Sequence, residues 1–203
     1  MQKRIVVWTV LVFCTLLSQN AWAKTDLGMR SIGVDAGYVD PENVDGTFGF
    51  GVFSNMGNLS QDVRLQPHIS YWSKSEEFAG DKATISDIAF STRALYMFHG
   101  TSPKFRPYAG GGLGLHFVKA KAEFTGPPAM EASDTSTKLG LDFGGGFTTP
   151  LSDRADFCVD TWYTATSDVG HFSLKAGVSF DLGHSSESER PAPRSTHRSR
   201  TRR

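Results

Sequence analysis

The stretch His171-Phe172-Ser173-Leu174-Lys175-Ala176-Gly177-Val178-Ser179-Phe180 alternates without a slip. Phe172, Leu174, Ala176, Val178 and Phe180 make an apolar row, while His171, Ser173, Lys175, Gly177 and Ser179 make a polar one. A period of two puts the rows on opposite faces of a β-strand. A strand of this length, one face fit for hydrocarbon and the other for water, suits the wall of a barrel that crosses a membrane.

The alternation recurs upstream. It predicts eight strands, at Arg30–Val39, Thr47–Phe53, Val63–Trp72, Ile85–Phe98, Tyr108–Val118, Lys138–Phe147, Asp156–Tyr163 and His171–Leu182. Their apolar rows, such as Ile32-Val34-Ala36-Tyr38, Phe48-Phe50-Val52 and Leu139-Leu141-Phe143, hold no charge. The other rows hold Asp35, Arg64, Asp87, Arg93, Lys138, Asp142, Asp156, Asp160, Lys175 and Asp181. Eight such strands predict an all-β, eight-stranded antiparallel barrel. Alternation alone does not say which row faces inward, because a soluble lipocalin-like barrel would bury the apolar one. Three features favour a transmembrane barrel. The polar rows are crowded with glycines, including Gly33, Gly49, Gly51, Gly110, Gly112, Gly114, Gly140, Gly144 and Gly146, and small residues suit a narrow lumen. Aromatics fall at strand ends, with Tyr71-Trp72 and Trp162-Tyr163 at one rim and Phe98, Tyr108, Phe147 and Phe180 at the other, as membrane girdles do. The chain also carries an export signal.

That signal occupies residues 1–23: Lys3 and Arg4, an apolar run from Ile5 to Leu17, then Ala21-Trp22-Ala23, which predicts cleavage before Lys24. The run is too short for a spanning helix. Cys14 has bulky neighbours, Val12 and Phe13, which argue against lipoprotein processing, and removal of the signal leaves Cys158 as the one cysteine, with no disulfide or dithiol motif to form. Residues 24–183 form the barrel domain and carry 13 Lys and Arg against 19 Asp and Glu. Residues 184–203 carry six Arg against two Glu and almost nothing apolar, so they are expected to be a disordered, basic, periplasmic tail able to touch anionic headgroups or the cell wall.

Pro107-Tyr108-Ala109-Gly110-Gly111-Gly112-Leu113-Gly114-Leu115, the run Lys138–Phe147 and the run Phe172–Phe180 resemble the small porin-family outer membrane β-barrel domain of Gram-negative bacteria, the group with OmpA- and OmpX-like barrels. The resemblance covers the chain from the cleavage point to about Gly183. It implies a location in the cell outer membrane with both termini periplasmic, contact with outer membrane lipids and lipopolysaccharide, recognition of the last strand by the outer-membrane assembly machinery, and a monomer. Its motifs are compositional and carry no activity. In many such barrels the terminal Phe ends the chain, whereas here residues 181–203 follow Phe180.

The loops are then the place for function. The connections 40–46, 73–84, 119–137 and 164–170 are expected outside the cell, and 54–62, 99–107 and 148–155 in the periplasm. Asp40, Glu42, Asn43 and Asp45 gather oxygen donors that could bridge a divalent ion to lipopolysaccharide, but the spacing is not that of an EF-hand and a solvated hairpin closing on Asp45-Gly46 is the simpler reading. The segment 119–137, with Gly126-Pro127-Pro128, is the longest outer connection and is expected to be a polar loop open to an external ligand. The triple-glycine runs fall at similar depth on strands five and six, where they let strands bend and pack against large neighbours. His171-Phe172-Ser173 resembles, in two residues, the His-x-Ser-Asn stretch of outer-membrane lipid A deacylases; position 174 is Leu, and parity turns His171 and Ser173 away from lipid. Cys158 has no partner motif, and His68 and His116 stand alone on the polar rows of different strands. No phosphate loop, zinc spacing or nucleic-acid motif is present. The sequence predicts a structural or surface-interaction protein, not an enzyme, with no catalytic centre, cofactor, metal or nucleic-acid partner. The alternatives are a narrow pore for small solutes and a lipid A-modifying enzyme.

Overall fold

The computed structural model describes residues 25–183 apart from 43, 79–80, 100–101, 103, 125–129 and 168–169. The signal peptide and the basic tail lie outside the described residues. The strands are β1 (Asp26–Pro41), β2 (Thr47–Ser60), β3 (Val63–Phe78), β4 (Asp81–Met97), β5 (Arg106–Phe124), β6 (Met130–Ser152), β7 (Ala155–Ala165) and β8 (His171–Asp181). Each pairs antiparallel with the next and β8 closes on β1, so the sheet is an eight-stranded barrel without an edge around its middle. We call the end where β1 starts and β8 finishes the terminal end, and the opposite one the distal end.

Parity sorts the side chains as the alternation requires. Phe48 is 78% exposed and Leu139 65% exposed, and the outward rows of Val34, Phe50, Leu113, Phe143, Leu174 and their neighbours are exposed with them. A soluble monomer does not present that much continuous apolar surface to water. Hydrocarbon is the solvent that suits it. The inward rows bury Asp35, His68, Asp87, Arg93, His116, Asp142, Asp160 and Lys175.

Three expectations are corrected. The tryptophans are not girdle residues: Trp72 is 4% and Trp162 1% exposed, both inside the lumen, and Tyr108 points inward as well. Parity outranks the rim position, leaving Tyr71, Tyr163, Phe98 and Phe180 on the outer face. Two terminal-end connections are shorter than the expected 54–62 and 148–155: β6 runs on to Ser152 and pairs with β7 down to Ser152↔Ala155, and β2 continues to Ser60 through a bulge where the β1 and β3 registers both shift. Gly57 sits in that bulge at φ 84°, with the Asp26 carbonyl where a Cβ would go, so a residue without a side chain is required. The distal connections 73–84 and 119–137 are mostly strand: β3 and β4 stay paired from Val63↔Tyr96 to Phe78↔Asp81, and β5 and β6 from Arg106↔Thr148 to Phe124↔Met130.

The distal rim is therefore uneven. β2 stops pairing with β3 at Gly49↔Trp72, and β7 stops pairing with β6 at Leu141↔Ala165. Beyond those points β3 to β6 continue as a four-stranded wall. Ser73–Phe78 on β3 and Met130–Thr137 on β6 have no ladder partner on their outer edges among the described residues.

Candidate functional site

The middle of the lumen is filled by paired groups. Arg93 Nε donates to Asp142 Oδ2 at 2.9 Å, Thr164 Oγ1 donates to Asp142 Oδ1 at 2.7 Å, and the Arg93 guanidinium lies 4.2 Å above the Trp162 ring. His68 Nε2 is 2.9 Å from Asp35 Oδ2, and Lys175 Nζ is in ion-pair contact with Asp35 Oδ1 at 3.2 Å. His116 Nδ1 is 2.7 Å from Asp87 Oδ2. Neither His68 nor His116 is alone, as the sequence had suggested. Each meets an aspartate about thirty positions away in the chain, which only strand register brings near. The glycines make this packing possible: a Cβ on Gly140 would stand 2.5 Å from His116 Nε2, and one on Gly144 2.8 Å from the Trp162 ring. The void left among Trp72, Arg93, His116, Asp142 and His171 has a volume of about 10 Å³, room for about one water.

His171 and Ser173 both face this interior. The His171 ring lies between those of Trp72 and His116, at 6.2 Å and 5.9 Å, while Ser173 Oγ donates weakly to the Trp162 carbonyl at 3.5 Å. The hydroxyl is aimed at a backbone carbonyl and not at the imidazole. Cys158 is buried in the lumen wall as a free thiol. In the first distal loop, the Glu42 carboxylate accepts from the Tyr163 hydroxyl at 2.9 Å and the Gly170 amide at 3.3 Å, and Glu42 N donates to Gly170 O at 2.8 Å. Glu42 thus ties two loops together. Asn43 lies outside the described residues, and no cluster of three or more His, Cys, Asp or Glu fit for a metal occurs among the described residues.

Two cavities open at the ends. At the distal end, one of about 480 Å³ lies on the wall between Ala83, Ile85, Ala120, Ala122 and Ala132, with Lys74, Glu76, Asp134 and Val44 at its margins. Those alanines continue the inward parity of β4, β5 and β6 above the barrel rim. Lys121 pins the opposite face, 2.5 Å from Glu123 and 3.0 Å from Glu131. Hydrogen bonding to Lys121 lowers the Glu123 pKa, and the Lys121 pKa is raised in return. At the terminal end, a cup of about 550 Å³ is lined by Arg30, Arg64, Arg106, Thr148 and Asp156 and floored by Phe53, Leu95, Tyr108 and Cys158. The sequence reading missed both. The run Lys119-Ala120-Lys121-Ala122-Glu123 alternates and could have shown the wall; no local signal foretells the cup.

The closed antiparallel ring of eight strands is joined by a family match: the model of the outer membrane protein β-barrel domain matches residues 9–183. The chain belongs to that family. Its place is the outer membrane of a Gram-negative cell. Among solved structures the barrel is similar to Neisserial surface protein A, at 17% identity and a TM-score of 0.58, covering 75% of this chain and 96% of that one. It is also similar to a major outer membrane protein of Thermus thermophilus, at 11% identity and a TM-score of 0.56, covering 75% and 99%. A third likeness is to Ail, the attachment invasion locus protein of Yersinia pestis, solved with the heparin analogue sucrose octasulfate, at 15% identity and a TM-score of 0.51, covering 76% and 97%. Identities this low show the shared fold alone. No curated protein matches the barrel in sequence.

Proposed function

We propose that this barrel is a monomeric surface-interaction protein without a catalytic centre, standing with both termini in the periplasm. The orientation is supported by the connections: two of the three at the terminal end are the tight turns Gln61-Asp62 and Asp153-Arg154, the third being 98–105, whereas at the distal end four strands run on past the rim, the asymmetry that outer-membrane barrels show between periplasm and exterior. Its apolar belt contacts outer membrane lipids and lipopolysaccharide. Strand β8, whose apolar row closes on Phe180, is the segment offered to the assembly machinery.

The wall carries the proposal. Four strands rise past the rim, present an alanine-lined hollow and leave two strand edges open, and an open edge accepts an added strand through main-chain hydrogen bonds. The edge Met130–Thr137, without a ladder partner among the described residues, alone is about 26 Å of backbone. Charge then selects the partner. Ail's structure holds a sulfated sugar. Here the distal segments 40–46, 73–86, 119–137 and 164–170 carry 4 Lys against 10 Asp and Glu, a net of −6, which repels a polyanion. The wall fits an extended polypeptide of neutral or basic character.

Bacteria expressing the full chain are expected to adhere to immobilised basic or neutral proteins. A variant whose two hairpins are cut back to short turns below Ser75↔Thr84 and Lys121↔Ser133 should lose that adherence while its barrel still folds, checked by gel migration with and without heating. Equal adherence by both would remove the wall from the function.

A further inference from the structure

Three buried donors converge on the terminal cup without a protein partner. Arg64 Nε, Arg106 Nε and Thr148 Oγ1 are all buried and unbonded, and all three residues line the same cavity of about 550 Å³. Of the three aspartates that line the cup, Asp156 and Asp181 are engaged, and Asp153 is exposed in the turn 153–154. Asp156 Oδ1 accepts from Arg106 Nη2 at 2.7 Å, Asp26 is paired with Arg30, and Asp181 accepts from the Gly183 amide at 2.9 Å. Arg64 makes no salt bridge with a described carboxylate. Four arginines line the cup against three aspartates, and Asp26 pairs with Arg30 from outside the lining, so what the cup offers an anion is the unbonded donors of Arg64, Arg106 and Thr148 and not a net charge.

A guanidinium offers donors in a planar fork and accepts nothing, and two of them around a hydroxyl define the complement: an anion with at least two acceptor oxygens. We propose that the terminal cup binds a small soluble oxyanion, a phosphate or carboxylate group, between Arg64, Arg106 and Thr148. The floor of Phe53, Leu95 and Tyr108 leaves room for an apolar substituent on the bound molecule. Every neighbouring pair of strands is hydrogen-bonded around the ring, so the cup opens along the barrel axis and not sideways into lipid. The ligand therefore enters from the aqueous phase at the terminal mouth, which is the periplasm in the orientation proposed above. The site does not depend on the wall, and either proposal can fail alone.

The test is titration of the refolded full chain, in uncharged maltoside micelles, with inorganic phosphate, read by calorimetry and by the ¹⁵N–¹H signals of the arginine Nε groups. We expect saturation at one phosphate per barrel, with affinity about tenfold or more weaker in Arg64→Gln, the usual consequence of losing a charged hydrogen bond. Thr148→Val should weaken it less, and Arg64→Lys, which keeps the charge but not the fork, should recover only part. If Arg64→Gln does not fold, Arg64→Lys and Thr148→Val decide the matter. No saturation, binding indifferent to these substitutions, or the same response to chloride at matched ionic strength overturns the site. A response in phosphatidylglycerol nanodiscs with none to soluble phosphate overturns the soluble ligand in favour of a lipid headgroup.

Discussion

Leu141 and Asp142 are neighbours on β6 that answer to different solvents. Leu141 is 44% exposed on the outer face and Asp142 1% exposed in the lumen. Placing Arg at position 141 should cost about 2–4 kcal/mol, the usual penalty for a cation facing lipid near the midplane. From sequence, Asp142→Asn looks mild, since it keeps size and some hydrogen bonding. The structure revises that expectation. Asp142 is the counter-charge of Arg93 at 2.9 Å, and Arg93 is itself held over Trp162 in the lumen. Deleting one partner of a buried pair costs about 3–5 kcal/mol because the other charge is stranded, whereas replacing both is often neutral. Both single variants should therefore lose stability in reversible urea unfolding in lipid vesicles, but for separable reasons. Adding Arg93→Met should restore more than half of the Asp142→Asn loss and none of the Leu141→Arg loss. If Arg93→Met deepens the Asp142→Asn defect, the pair is not what holds this part of the lumen together.

The wall shows what a sequence can and cannot disclose about an element. Strands inside the lipid belt are legible because hydrocarbon on one side and a polar lumen on the other force period two, as in Phe172–Phe180. Past the rim both faces are wet, that force disappears, and a segment such as Met130–Thr137 reads as a polar loop although it is a strand. The lumen site was hidden for a different reason: Asp35 with His68 and Asp87 with His116 are joined by register across the sheet, which no local pattern encodes. Trp72 and Trp162 have the strand-end position of girdle residues but the parity of lumen residues, and parity decides where they point. What stiffens the wall on its outer face is the Lys121 contact with Glu123 and Glu131. The Glu123 pKa is depressed below its ordinary value of 4.5, so its contribution is complete above that value and is lost as pH falls through the lower folded pKa. Lys121 is shifted upward, so its share is present below the ordinary lysine value and lost only as pH rises through the raised one. An NMR titration should find the Glu123 carboxyl midpoint below 4.5, returning to an ordinary value in Lys121→Met. An ordinary midpoint in the unaltered protein would mean that Lys121 does not engage it in solution. Glu131 is exposed and Lys121 and Glu123 are half-exposed, so the effect is local and salt-sensitive.

At the scale of the whole molecule, eight strands enclose an interior just wide enough for side chains, and this chain fills it. Between the terminal cup and the distal hollow stand Leu95, Trp162, the Arg93–Asp142 pair, the Asp35–His68–Lys175 group and the Asp87–His116 pair. The void among the distal members is about 10 Å³. A hydrated ion would have to displace several of these groups together, and each ion pair broken in the lumen strands a charge. The barrel should therefore show no steady conductance in planar bilayers at voltages where a sixteen-stranded porin conducts. The same geometry says what would open it. Trp162→Ala removes the ring against which Arg93 rests and the bulk that Gly144 was shaped to admit. Combined with Arg93→Ala, it should produce brief, small openings where the parent produces none, because the largest plug and its neighbouring charge leave together. Steady ion flow through the unaltered protein would instead mean that the lumen groups rearrange in the membrane, and the narrow-pore alternative would then replace a purely structural wall as the account of the barrel's interior.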